Sequence, residues 1–196
     1  MKTAIFFLLD EYADWEGAYL SSTLNKSTDW TVKTASIQKE VTSIGGFKTK
    51  VDLLLGELPE KIDLFILIGS NSWNLTNDTL SNSINHYLNQ NITVGAICGA
   101  VDYLARNCLL SHYKHTGNSQ FLWTDFANYS NPEDFVEQLA YSDRNLITAN
   151  GTGPIEFTEL VLKAIRFDTD EAIEKTIYMN QHGFYKYCDK YGNPFF

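Results

Sequence analysis

No apolar run in this chain approaches the roughly 20 residues of a membrane-spanning helix, so an integral helical membrane protein is not expected. The run Ala4 to Leu9 is too short for a secretory leader. It meets Asp10 and Glu11 with no small-residue cleavage site, and reads as a first strand. Basic residues are scarce, 15 Lys and Arg against 24 Asp and Glu, for a formal charge of −9. Such a surface repels phosphate backbones, so neither nucleic acid nor an anionic membrane is an expected partner. Cysteine is scarce too. Cys98, Cys108 and Cys188 form neither an even disulfide framework nor a C-x-x-C pair. Free thiols without a secretion signal point to a reducing cytoplasm. Linkers, repeats and low-complexity segments are absent, so residues 1–196 read as one domain. Aromatics are plentiful at 14%, which suits a packed core and argues against disorder.

The apolar pattern alternates strands with helices. Lys2 to Leu9, Trp30 to Ala35, Asp63 to Ile68, Thr93 to Ile97 and Asn145 to Ala149 read as strands. Val41–Ser43 and Phe47–Val51 flank a glycine turn and read as a small hairpin. Helices are expected over Trp15–Leu24, Asp78–Asn89, Val101–Asn107, Ile155–Ile165 and Thr169–Asn180, with a helical turn over Pro132–Leu139. His112–Asn118 reads as irregular or short-stranded. The strands are continuously apolar rather than alternating, which fits a parallel sheet buried on both faces. The expected fold is therefore α/β: a flavodoxin-like three-layer sandwich with a mainly parallel sheet. Ligands in such sheets bind beyond the carboxyl ends of the strands. That rule gathers Asp10–Glu16, Gly69–Ser72, Cys98–Gly99 and Asn150–Pro154 into one crevice.

The central stretch is Thr93-Val94-Gly95-Ala96-Ile97-Cys98-Gly99-Ala100-Val101. A short buried strand that breaks into a helix pushes the residue at the break out over the sheet edge, as in a nucleophile elbow. Gly95, Ala96, Gly99 and Ala100 supply the small neighbours that such a turn requires. The helix N-terminus behind Cys98 presents free N–H groups and a positive dipole end, both favourable to a thiolate. The plain alternative is that Cys98 is one more small buried hydrophobe.

Taken together, Trp15-Glu16-Gly17, Leu67-Ile68-Gly69-Ser70, Ala96-Ile97-Cys98-Gly99-Ala100 and Thr148-Ala149-Asn150-Gly151-Thr152-Gly153 with Glu156-Phe157 resemble the ThiJ/PfpI superfamily. Its fold is that of class I glutamine amidotransferase domains. The resemblance covers about residues 1–165 and leaves 166–196 as a helical, aromatic tail. It implies that Cys98 is the reactive thiolate and that Glu16 hydrogen-bonds its sulfur while protonated. It also implies an oxyanion hole made by the backbone N–H groups of Gly99 and of Gly69 or Ser70, and a homodimer or larger assembly.

The chain departs from the family in two places. The histidine that some family proteases carry directly after the nucleophile is replaced by Gly99. The amidotransferase His-x-Glu pair has no counterpart in Gly153-Pro154-Ile155-Glu156, so a glutaminase triad is absent and Glu156 reads as a packing or capping residue. His115, and less readily His112, is the candidate base. No third ligand accompanies these two histidines at a metal-site spacing, so no metal or cofactor is expected. The leading expectation is a cysteine-dependent enzyme, hydrolase- or glyoxalase/deglycase-like. It would attack a carbonyl of a small aldehyde, amide or peptide-like substrate through Cys98. The alternatives are a stress-response protein that senses oxidation at Cys98 without turnover, and a binding member that keeps the elbow without chemistry.

Overall fold

The computed structural model describes residues 1–196. Seven strands form the main sheet: β1 (Lys2–Phe7), β2 (Trp30–Ser36), β5 (Leu53–Leu54), β6 (Leu64–Leu67), β7 (Thr93–Ile97), β8 (Ala140–Asp143) and β9 (Leu146–Ala149), in the order β5-β2-β1-β6-β7-β9-β8. Every pairing is parallel except β8 with β9. A separate hairpin joins β3 (Glu40–Thr42) to β4 (Lys48–Lys50).

Alternation along β1 explains why its run is apolar throughout. Ile5 and Phe7 enter one core with Phe65, Leu67 and Ala96, while Ala4 and Phe6 enter the other with Ile66 and Ile97. Helices α2 (Asp78–Asn89) and α3 (Gly99–Arg106) cover the first face through Leu80, Ile84, Tyr87, Tyr103 and Leu104. Helices α1 (Ala18–Asn25), α4 (Pro154–Ala164) and α5 (Asp170–Tyr191) cover the second through Leu20, Leu24, Phe157, Val161, Ile173 and Ile177. The result is the expected three-layer α/β sandwich. No helix is long and apolar enough to cross a membrane.

Local chemistry sets several boundaries. Asn77 caps α2, its Oδ1 accepting from Leu80 N–H at 3.0 Å. Pro154 opens α4 at a position whose N–H has no helical partner. Thr169 caps α5 in the same manner as Asn77.

Three expectations need correction. Trp15 and Glu16 stand in a turn before α1, because the Glu16 side chain is drawn across to the β6 loop. Residues 132–139 form only a 3₁₀ turn at Pro132–Asp134 and then run extended into β8. That strand is short and polar on one side, so it carries little apolar signal. Finally, α5 continues past Asn180 to Tyr191 with a break at Gly183, whose φ of 82° suits glycine. The aromatic tail is thus helical, and Gln181 on it donates to Glu156 Oε1 at 3.2 Å.

Candidate active site

Cys98 occupies the turn between β7 and α3 with φ 59° and ψ −129°. Its amide is held by Ala149 O at 2.9 Å, and its carbonyl accepts from Val101 N–H at 2.9 Å. These bonds fix the backbone on both sides, so the left-handed conformation is imposed by strand and helix together.

Glu16 lies beside it, fully buried at 0% exposure. Its Oε2 accepts from Gly69 N–H at 2.7 Å, while Oε1 has no partner of conventional hydrogen-bond geometry. Both that oxygen and Cys98 Sγ lie against Gly151, and the carboxyl and thiol groups interact directly. Burial pushes the Glu16 carboxyl up to about 7, against weaker lowering by the Gly69 N–H and by Cys98. Burial also pushes the Cys98 thiol up, to about 11, and the next contribution is the negative charge of Glu16 itself. A proton on Glu16 removes that contribution. The two groups therefore titrate as a unit in which a second negative charge is strongly disfavoured. Gly99 N–H and Asn118 act in the opposite direction, stabilising the thiolate. Asn118 Nδ2 donates to Sγ at 3.2 Å, and its Oδ1 accepts from Gly151 N–H at 2.9 Å, which assigns the orientation of the amide.

Small residues make this closeness possible. A Cβ on Gly69 would stand 2.3 Å from Glu16 Oε2 and 2.6 Å from Cys98 Cβ, and one on Gly151 would stand 2.8 Å from Sγ. At Gly99 a Cβ would meet Ser70 O at 2.9 Å, so a histidine after the nucleophile would require the β6 loop to move.

Two of the candidate roles are corrected. His115 is not a base for Cys98. It is wholly buried, with Nδ1 2.7 Å from Tyr113 O and Nε2 2.8 Å from Tyr129 Oη. The carbonyl can only accept, so Nδ1 carries the hydrogen and Nε2 accepts from the tyrosine. The rings of Trp123, Tyr129 and Phe135 surround it at centroid distances of 5.5–5.9 Å, and burial lowers its pKa. His115 is a neutral core histidine. His112, on the same segment, is exposed. The second correction concerns Gly69, whose N–H is committed to Glu16 and is not free for an oxyanion. Gly99 N–H faces Sγ, and Ser70 N–H makes no hydrogen bond within the chain.

Asn118 had no sequence signal beyond following a glycine. It arrives because Asn150 Nδ2 donates to Gly117 O at 3.1 Å and to Asn118 O at 3.2 Å, tying an irregular loop to the end of β9. Its contribution has a definite sign. Asn118→Ala removes a donor that favours the thiolate, so the Cys98 alkylation profile moves to higher pH by about one unit. Asn118→Asp, which replaces that donor by a like charge, moves it further. Iodoacetamide labelling against pH, read by peptide mass mapping, checks both; an unchanged profile in Asn118→Asp would discard the contact.

A parallel α/β sheet with a cysteine on a strained strand-to-helix turn, and a buried carboxyl group against it, defines a nucleophile-elbow protein of the flavodoxin-like type. The DJ-1/PfpI family model matches residues 2–164, and the chain belongs to that family. It is 53% identical over 195 residues to the "Uncharacterized protease YdeA" of Bacillus subtilis, covering 100% of this chain and 99% of that protein. It superposes on a thiJ/pfpI family protein from Bacillus anthracis with a TM-score of 0.86 at 32% identity, over 95% of this chain and 94% of that one. A DJ-1 superfamily protein from Agrobacterium tumefaciens gives a TM-score of 0.85 at 26% identity, over 93% and 100% of the two chains.

Proposed function

We propose that the chain is a cysteine-dependent enzyme that attacks the carbonyl carbon of a small aldehyde, amide or peptide-like substrate through Cys98. The observation that carries this reading is the set of groups on one sulfur: Gly99 N–H, the Asn118 amide and the Glu16 carboxyl. The reading requires the charge on sulfur and the pair's remaining proton on Glu16, the arrangement that Asn118, Gly99 N–H and the helix N-terminus favour and that the separate values of about 7 for the carboxyl and about 11 for the thiol oppose. Attack forms the S–C bond and shifts the carbonyl π electrons onto oxygen. The Glu16 proton then passes to that oxygen, giving a neutral hemithioacetal and a Glu16 carboxylate. With an amide, the same adduct would expel the amine and leave a thioester for water to cleave. Gly99 N–H, and Ser70 N–H, which no other group in the chain engages, would be the donors to the oxyanion, the kind of contact worth most to such catalysts. Hydrolase or glyoxalase-like chemistry fits better than a dedicated protease, because Gly99 stands where a protease histidine would be.

A second reading rests on the unpartnered Oε1 of Glu16. A protonated carboxyl there would donate to a sulfinate on Cys98, as a redox sensor requires.

The test is turnover of a panel containing methylglyoxal and amides, before and after carboxamidomethylation, with Cys108 and Cys188 followed as controls. Turnover that falls in step with Cys98 modification alone supports the enzyme. Turnover that survives full Cys98 modification removes it, and selective peroxide oxidation of Cys98 without turnover favours the sensor.

A further inference from the structure

A cleft of about 560 Å³ is lined by Asn118, whose amide donates to Cys98 Sγ, and by Asn150, while Cys98 itself stands behind Asn118 and is not part of the lining. Among its 11 lining residues the polar side chains are amides and hydroxyls, with one exception: Glu137, exposed on the extended segment that leads into β8. No lysine, arginine or histidine lines it. Asp10 and Asp14, on the loop after β1, stand outside this cleft, Asp14 lining a second cavity with Tyr12 and Thr49. Each is fixed by a hairpin N–H, Asp10 by Thr42 at 2.7 Å and Asp14 by Gly45 at 2.8 Å. Lys39 and Lys50 line a different cavity, beside Asp52 and Glu57. The Cys98–Glu16 pair itself carries a negative charge once it has lost its first proton.

We infer that this cleft selects by charge: it admits neutral or cationic carbonyl compounds and turns away anionic ones, with Glu137 as the specificity-determining residue. The inference rests on the reading of Cys98 as the nucleophile. A permanent anion on the substrate meets Glu137 and the charged pair with no cation to offset them, and the low-dielectric walls of a cleft concentrate that field. The oxyanion of the reaction is a separate matter. It develops at one atom, within reach of backbone donors, and is quenched by the Glu16 proton. A carboxylate or phosphate elsewhere on the substrate has no such partners.

The experiment measures second-order labelling of Cys98 in the full chain by three methanethiosulfonates: trimethylammonioethyl, methyl and sulfonatoethyl. Each rate is divided by that of the urea-unfolded chain, which removes the intrinsic reactivity of the reagents. The normalised cationic-to-anionic ratio is expected at about tenfold or more at low salt. It should fall as salt rises and drop several-fold in Glu137→Lys. A normalised ratio of one, or a Glu137→Lys ratio equal to that of the native chain, overturns the inference.

A second arm compares hydrolysis of three p-nitroanilides whose acyl groups are trimethylammonioacetyl, acetyl and succinyl, reactions that need only water as co-reactant. Charge-ordered labelling with no hydrolysis of any of them and no turnover of methylglyoxal keeps the charge filter and removes the enzyme. Hydrolysis that favours the succinyl compound keeps the enzyme and removes the filter.

Discussion

Glu16→Gln is expected to be more stable than the native chain at pH 8 and to lose the native chain's decline in stability between pH 4.5 and 7. The carboxyl titrates at about 7 in the folded protein against 4.5 for an unperturbed glutamate, because burial penalises its charged form. The folded chain therefore binds the proton more tightly than the unfolded one. That contribution is fully present below about pH 4.5 and is lost as pH rises through about 7. The displacement corresponds to about 3 kcal/mol. Glutamine cannot ionise, keeps a carbonyl oxygen for Gly69 N–H, and fills nearly the same volume. In a protein of this size the gap between the two Tm values should widen by roughly 6–12 °C between pH 4.5 and 8. Parallel pH–Tm curves for the two proteins would show that Glu16 is not held in a charge-averse site. The result does not depend on which member of the pair holds the shared proton, because linkage counts protons bound by the folded state as a whole.

Cys98→Ala is expected to lower turnover of any substrate found for the native chain by on the order of 10⁴-fold or more, since no other group can form the S–C bond. The Tm should barely move, because alanine tolerates φ 59° no better and no worse than cysteine and leaves a gap of one sulfur atom. Cys98→Ser preserves the shape but presents a hydroxyl that stays protonated at working pH, so it should be as inactive and as folded. Robust activity in either variant, with Glu16 still in place, would move the chemistry away from the elbow.

Much of the fold was legible because its strands are buried on both faces. Runs such as Ile5-Phe6-Phe7 and Leu64-Phe65-Ile66-Leu67 have no polar side to blur the pattern, and the small residues around Cys98 exposed the elbow. The strand β8 was not legible, since Tyr141-Ser142-Asp143 pairs along one edge and faces water on the other. Site chemistry was legible only where it is local in sequence. Glu16 and Cys98 stand on motifs that read as motifs. Asn118 depends on Asn150, 32 residues further on, and no periodicity links an irregular loop to a strand end. His115 was assigned to the site by its nearness in the chain. An isolated bridge to Phe135 instead turns it into an aromatic box, where two hydrogen bonds satisfy it completely.

The left-handed backbone at Cys98 bears on descent as well as on chemistry. A non-glycine residue held there costs roughly 1–3 kcal/mol, and glycine would release that strain at once. A gene copy relieved of the reaction therefore has a downhill route open to it, a change to glycine at position 98 that firms the fold as it discards the thiol. The identity of the elbow residue then becomes a one-letter test for newly sequenced kin: cysteine where the strain is still being put to use, glycine where the lineage has let it go.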